Sequence, residues 1–140
     1  MDIDTIERLD LARTFVRLSN DGNIDAIPLT TAFWRGKGAA ASGDRFVGIV
    51  DFSSSEDLHS SSQEVHPDGD ELVVVLAGAI HVMVDDGSSE TAIALDVGQA
   101  AVVPRGMWHR LVMREPGRLL FINIRTSMRS RARRAETGTQ

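Results

Sequence analysis

Cysteine is absent from all 140 residues of the chain. Without cysteine there is no disulfide, so stability does not depend on an oxidising compartment, and thiolate metal sites are excluded. The sequence also lacks an apolar run approaching the roughly 18 residues that a membrane-spanning helix needs. Its first ten residues are acidic, whereas a secretory signal peptide begins with basic residues. These absences favour a cytoplasmic protein with no membrane partner.

Positive charge is scarce except at the C-terminal end. The net charge is −5, yet residues 125–140 contain five arginines and one glutamate, which leaves −9 for the preceding 124 residues. An acidic body binds nucleic acid poorly, and no helix-turn-helix pattern is visible. The basic segment is able to touch RNA, DNA or an acidic surface, but a solvated terminus is the simpler interpretation. We therefore expect no nucleic-acid partner and a flexible tail over residues 125–140.

Short strands separated by turn signals fill most of the chain. The pattern predicts a strand over Arg45–Phe52, two strands that pair around a turn at Gly78, and a hairpin at Asp86-Gly87. Further turns are expected at residues 104–106, and a last strand over residues 118–124. Eight or nine such strands, with turns every 8 to 12 residues, predict an all-β sandwich or barrel. A chain of this length is one domain that can bury its own core.

Two stretches contain residue types that bind metals. Glu64 and His66 are two positions apart in an extended segment, so both side chains point to the same face. Asp70 belongs by composition to a turn and is a weak ligand candidate, while Glu71 opens the next strand. His109 needs a tertiary contact to join them. Two imidazoles with one or two carboxylates facing a cavity suit a divalent transition metal.

These stretches resemble the two motifs of the cupin family. The matching positions are His66, Glu71 and Gly78 in the first motif, and Gly98, Pro104, Gly106 and His109 in the second. The resemblance extends over residues 45–124 and implies a double-stranded β-helix, the jelly-roll barrel. The chain then divides into an N-terminal arm over residues 1–44, the barrel over residues 45–124, and the basic tail. Within the arm, residues 4–18 are expected to form a short helix or a strand.

Three positions depart from the family motifs. Leu58 stands in place of the leading glycine, Met113 replaces the closing asparagine, and Glu64 stands where the first metal-binding histidine is usual. Glutamate can ligate a metal through oxygen, so the candidate metal ligands are Glu64, His66, Glu71 and His109. This set favours Fe2+ or Mn2+, with Ni2+ and Zn2+ also open. The replacement at Glu64 is equally compatible with a pocket that has lost its metal.

The resemblance implies a small-molecule site in the barrel, but a fold does not fix a function. One hypothesis is a metal-dependent enzyme of the dioxygenase or isomerase type, with catalytic residues that the sequence does not identify. The alternative is a non-catalytic module that binds a sugar or another metabolite at a degenerate metal site. The family also implies a homodimer formed by the N-terminal strands and the outer sheet face. Phe33 and Trp34 would wall the barrel or lie at that interface.

Other candidate residues have both a functional and a structural interpretation. His59 lies in a serine-rich loop and is more readily a surface histidine than a catalytic one. His81 lies in a strand outside both motifs and is interpreted as structural. Trp108 either lines the pocket mouth or packs against neighbours. Arg105 and Arg110 would meet an anionic substrate, although solvated arginines are commoner.

Overall fold

The computed structural model describes residues 3–29 and 43–135. Phe33 and Trp34 lie outside these ranges, as do residues 136–140 of the basic tail. Single turns of 3-10 helix occur at Ile3–Thr5 and Ser55–Leu58. Among the described residues no helix is long and apolar enough to cross a bilayer. The strands are β1 (Thr14–Leu18), β2 (Ile24–Pro28), β3 (Arg45–Phe52), β4 (Ser62–Val65), β5 (Glu71–Asp85), β6 (Glu90–Leu95), β7 (Ala100–Val103), β8 (Trp108–Asn123) and β9 (Arg129–Ala132).

The strands pair antiparallel into one curled sheet, which confirms the predicted all-β jelly roll. Part of the sheet follows the order β2-β1-β3-β8-β4-β9, while β5 pairs with β6, β7 and β8. The two long strands β5 and β8 lie side by side over most of their length. Alternating side chains point inward from both, so the apolar ones share a single core. Its largest fully buried members include Phe15, Phe46, Ile80 and Leu119.

The prediction of two strands that pair around Gly78 is wrong. The residues on both sides of Gly78 belong to β5, and both halves pair with β8 instead of with each other. Gly78 has φ 75° and lies among register shifts of that ladder. A side chain there would overlap the carbonyl oxygen of Pro116, and one at Gly117 would overlap that of Ala77. The glycines therefore bend two long strands past each other and do not reverse the chain.

Two other local predictions are confirmed, whereas the last strand predicted over residues 118–124 is the end of the longer β8, and β9 follows it. The strand over Arg45–Phe52 has the predicted bounds. At the Asp86-Gly87 hairpin, the amide of Asp86 donates to the carbonyl of Ser89 at 3.1 Å, and Gly87 has φ 100°. Asp-Gly is favoured there because such turns need positive φ.

The N-terminal arm contributes strands to the sheet. Of the two alternatives for residues 4–18, the strand is present: β1 pairs with both β2 and β3. Phe15 is buried and its ring meets Phe121 edge to face, with centroids 5.2 Å apart. The apolar residues whose spacing suggested a helix therefore include those of a strand, and this strand contributes Phe15 to the core.

The C-terminal segment differs from the flexible tail expected over residues 125–140. Strand β9 pairs along β4 through four residue pairs, from Ser62↔Ala132 to Val65↔Arg129. Two arginines of this segment also reach the buried carboxylate of Asp85, Arg131 at 3.4 Å and Arg134 at 2.8 Å. The edge of β4 provides backbone partners for β9. The buried carboxylate of Asp85 provides an ionic partner for the two arginines.

Candidate metal centre

The fold brings all four predicted ligands to one place. Glu64 lies on β4, His66 directly after it, Glu71 at the start of β5, and His109 near the start of β8. Strand β4 meets β8 at the pair Glu64↔His109, which supplies the tertiary contact that the sequence required. One carboxylate oxygen of Glu64 and one ring nitrogen each of His66 and His109 lie within 4.8 Å of one another. The inward alternation of β4 therefore places Glu64 and His66 beside the third ligand.

The imidazole of His66 is held in one orientation by the backbone. Its Nδ1 lies 3.1 Å from the carbonyl oxygen of Ile124, and a carbonyl only accepts, so Nδ1 donates. In the neutral ring, Nε2 then presents a lone pair. This atom is buried and has no hydrogen-bond partner among the described residues. Two carboxylates face it, Glu71 at 3.4 Å and Glu64 at 3.8 Å.

His109 is oriented in the same way. Its Nδ1 lies 3.1 Å from the carbonyl oxygen of Met107, and its Nε2 lies 2.8 Å from Oε1 of Glu71. Burial opposes a positive charge on the ring, but the hydrogen bond and the charge of Glu71 outweigh it and raise the pKa of His109. The contact with Glu71 therefore favours the protonated form of the His109 ring.

Glu71 connects the two imidazoles. It is 6% exposed, and its second oxygen accepts a 2.7 Å hydrogen bond from Nδ2 of Asn123. Burial alone would raise the pKa of Glu71, but His109 and His66 hold it well below its usual range. The carboxylate is therefore ionised and is part of the site, as its motif position implied.

The donor set suits a divalent cation. Histidines that bind metals commonly donate their other ring nitrogen to a backbone carbonyl, as His66 and His109 both do here. Imidazole and carboxylate groups are ligand types that divalent transition metals take in proteins. A cation would also give the buried Nε2 of His66 the partner that it needs. The residues present fit a metal.

A cavity of about 100 Å³ opens beside these residues. Its apolar wall contains Leu58, the residue that replaces the motif glycine, together with side chains of β3, β5 and β8. Its polar wall contains Asn123 and Arg125, which sequence reasoning missed, and Arg110. Asn123 and Arg125 lie outside both motifs, so no sequence signal pointed to them. The lining residues are Val50, Asp57, Leu58, His59, Ser62, Glu64, Glu71, Val73, His109, Arg110, Leu111, Leu119, Phe121, Asn123 and Arg125.

Of three other candidate residues, His59 lies at the edge of the cavity, whereas His81 and Trp108 pack elsewhere in the fold. His59 is exposed and lies at the edge of the cavity. His81 pairs within the sheet with Ala94 and Val112 and is not part of the cavity lining. Trp108 packs under the guanidinium of Arg131, which lies 4.0 Å from the ring centroid.

The two arginines named as anion candidates have acidic partners. Arg105 lies 3.7 Å from Asp70 on the surface, which places Asp70 in an ion pair. Arg110 lies 2.7 Å from Glu90, and both side chains are largely buried. Only Arg110 of these two lines the cavity, and its charge is already balanced.

Comparisons with known proteins agree with this fold. Residues 56–124 match the family model of the cupin domain. A cupin-2 domain protein of Shewanella frigidimarina is 22% identical, with 61% of this chain and 74% of that chain covered and a TM-score of 0.46. A cupin superfamily protein of Desulfitobacterium hafniense is also 22% identical, with coverage of 61% and 71% and a TM-score of 0.47.

A third similar structure is that of cobalt(II) HppE in complex with its substrate. It is 17% identical, covers 89% of this chain and 60% of that chain, and has a TM-score of 0.52. At this identity the similarity concerns the fold alone. No curated protein sequence matches the chain.

Proposed function

The chain belongs to the cupin superfamily, and on that premise we propose that its barrel binds a divalent transition metal and acts as a metal-dependent enzyme on a small molecule. Glu64, His66, Glu71 and His109 are the proposed ligands. HppE, which shares the fold, has been crystallised with cobalt(II) and substrate, which is compatible with a metal in such a barrel.

The observation that carries the proposal is the buried Nε2 of His66, which has no hydrogen-bond partner in the part of the chain that the structure describes. The carboxylates of Glu71 and Glu64 face this nitrogen at 3.4 and 3.8 Å, and an imidazole nitrogen beside carboxylate oxygens is a donor set that binds divalent transition metals. A cation between the three groups satisfies all of them. The 4.8 Å spread of Glu64, His66 and His109 is close enough for one ion to reach all three.

The ligand types favour ferrous iron or manganese, with nickel and zinc as further candidates. A metal at this position would supply a Lewis acid or a redox centre with open coordination positions. The chain itself orients the ligands: the backbone carbonyls of Ile124 and Met107 hold the two rings, and the side chain of Asn123 holds Glu71. The apolar wall limits water around the reacting molecule. Dioxygenase and isomerase reactions both need such a site.

The test is an anaerobic titration of the metal-free protein with Fe(II) and with Mn(II), in which calorimetry measures the binding. We expect one site per chain in the wild type and its loss in His66→Ala. His81→Ala is the matched control, because it removes an imidazole of the same barrel outside the cavity lining. Equal binding by wild type and His66→Ala would overturn the proposal.

A second candidate function is favoured by the contact between Glu71 and His109. At 2.8 Å the two side chains already satisfy each other without a metal, as in a degenerate site that binds a sugar or another metabolite without catalysis. Such a binder would keep its affinity for an organic ligand after treatment with a chelator. The metal enzyme would lose turnover under the same treatment and regain it when metal is restored.

The proposal includes a homodimer in the cytoplasm. Exposed apolar side chains on β5 and β7 support a partner copy, among them Leu76 at 45% and Val102 at 63% exposure. The lack of cysteine is compatible with a reducing compartment. Light scattering after size exclusion would give the mass, and a monomer at micromolar concentration would contradict the dimer.

A further inference from the structure

Two of the proposed ligands depend on a narrow junction between strands. Glu64 on β4 and His109 on β8 form the one residue pair through which these two strands meet in the described part of the chain. By contrast, β4 pairs with β9 through four residue pairs. A single pair constrains two strands weakly, so contacts outside that pair must help to hold the two ligands at a fixed separation.

Arg131 on β9 contacts the residue that precedes each of these ligands. Its Nε donates to Oε1 of Gln63 at 2.7 Å, and Gln63 precedes Glu64. Its guanidinium carbon lies 4.0 Å from the ring centroid of Trp108, which precedes His109. A guanidinium over an indole ring is attracted to it as a cation to a π system. One side chain therefore links β4 to β8 beside the residue pair that they share.

The amide of Gln63 has a fixed orientation. Its side chain is fully buried, and its Nε2 lies 2.9 Å from Asp85 and 3.1 Å from Glu90. Ionised carboxylates only accept, so Nε2 faces them and Oε1 faces Arg131. Arg131 also reaches Asp85 itself, at 3.4 Å. The contact between β9 and β4 is thus directional, and it is anchored to β5 through Asp85 and to β6 through Glu90.

Arg131 acts from the face opposite the ligands. Successive side chains of a strand point to opposite faces, so Gln63 and Glu64 point away from each other. Arg131 is directly opposite Gln63 in the register of β4 with β9, which places both on the same face. Arg131 is also not part of the cavity lining. It is therefore suited to hold the ligand-bearing strands without touching a metal or a substrate.

We propose, resting on the metal site of the proposed function, that Arg131 is a positioning residue of the metal centre. By joining Gln63 to Trp108, it sets the separation of the two ligands that follow them in sequence. A shift of one strand against the other would move Glu64 away from His109 and weaken the binding of a divalent cation. The C-terminal segment then contributes to metal affinity although it supplies no proposed ligand.

The first test measures the dissociation constant for Mn(II) in wild type, Arg131→Met and Arg134→Met by competition with a fluorescent chelator. Arg134 is the matched control because it also donates to Asp85, at 2.8 Å. Within the described residues, it makes no hydrogen bond or ring contact with Gln63 or Trp108. We expect the dissociation constant to rise about 10-fold or more in Arg131→Met and less than about 3-fold in Arg134→Met. Urea denaturation of the metal-free variants should show comparable losses of stability.

The absorption spectrum of the Co(II)-loaded proteins reports the geometry of the site, because the bands depend on the arrangement of the ligands. We expect the spectrum to change in Arg131→Met and to stay as in wild type in Arg134→Met. A loss of fold stability alone would not change it. Arg131→Lys should restore part of the Mn(II) affinity, since it keeps a cation for Trp108 and an N–H donor for Gln63.

Wild-type affinity and spectrum in Arg131→Met would overturn this inference alone, and so would equal losses of affinity in Arg131→Met and Arg134→Met. Failure of wild type to bind Mn(II) and Co(II) would overturn the proposed function itself. If Arg131→Met does not fold, Trp108→Leu replaces it, because this change removes the ring beside the guanidinium and leaves both arginines beside Asp85. We then expect the dissociation constant for Mn(II) to rise at least about 3-fold, and an unchanged value would overturn the inference.

Discussion

Glu64 and His109 face each other across the residue pair through which β4 meets β8. The other edge of β4 is held by four residue pairs with β9. Glu64 on β4 and His66 directly after it are two of the four proposed ligands, so their position depends on the pairing of β4 with both β8 and β9. The geometry of the metal centre is therefore tied to the C-terminal segment as well as to the barrel.

Replacing Glu64 by glutamine should weaken metal binding while leaving the fold intact. The side chain is 40% exposed, so the loss of its charge costs the fold little, but the cation loses an anionic ligand. We expect the dissociation constant for Mn(II) to rise about 10-fold or more. Competition with a fluorescent chelator measures it. Glu56→Gln is the control, an exposed glutamate of the nearby 3-10 turn, and equal affinity in both variants would remove Glu64 from the site.

The double variant Arg131→Ala/Arg134→Ala should destabilise the fold by about 1–3 kcal/mol at pH 7, because it leaves the buried carboxylate of Asp85 with fewer donors. Arg134 and Gln63 hold the pKa of Asp85 far below its ordinary value. A lowered folded-state pKa stabilises the fold above the unfolded pKa, and this contribution is lost as pH falls below about 4.

The stability difference between that variant and wild type should therefore shrink between pH 5 and pH 3. Urea denaturation at each pH measures it. Arg133→Ala is the comparison, because Arg133 is exposed and lies between the two arginines in sequence. A difference that stays constant with pH would show that Asp85 is not the group responsible.

Gly117→Ala should destabilise the barrel by more than 2 kcal/mol, an order-of-magnitude figure for overpacking against backbone. The added methyl group would overlap the carbonyl oxygen of Ala77 where β5 and β8 bend past each other. Gly87→Ala separates this effect from backbone strain, since Gly87 has φ 100° and no atom of residues 3–29 or 43–135 would lie within 4 Å of the added methyl group. Thermal unfolding compares the two, and equal losses would argue against a steric origin.

The local features of the fold were accessible from sequence, but the path of the long strands was not. Arg45–Phe52 and the Asp86-Gly87 hairpin follow from alternation and turn chemistry. Gly78 was misread as a turn because a glycine in a bulge and a glycine in a turn share the same positive φ. Only the tertiary partner, here Pro116 on β8, distinguishes them.

The candidate site was predictable to the extent that its residues lie in motifs. His66, Glu71 and His109 follow from motif spacing, and the proximity of Glu64 follows from its two-residue offset from His66. Asn123 and Arg125 carry no motif, and they come to the cavity through the register of β8 with β3 and β5. The placement of Arg131 and Arg134 depends on the buried Asp85, which precedes them by 46 and 49 residues. No local sequence pattern reveals this contact.

Elemental analysis tests the central claim most directly. Protein purified without chelator is compared with the His66→Ala/His109→Ala double variant and with His81→Ala as the matched control. The account predicts near-stoichiometric iron, manganese, nickel or zinc in wild type and in His81→Ala, and none in the double variant. Absence of metal from all three proteins, even after anaerobic reconstitution, would contradict it and leave the barrel as a metal-free binding module.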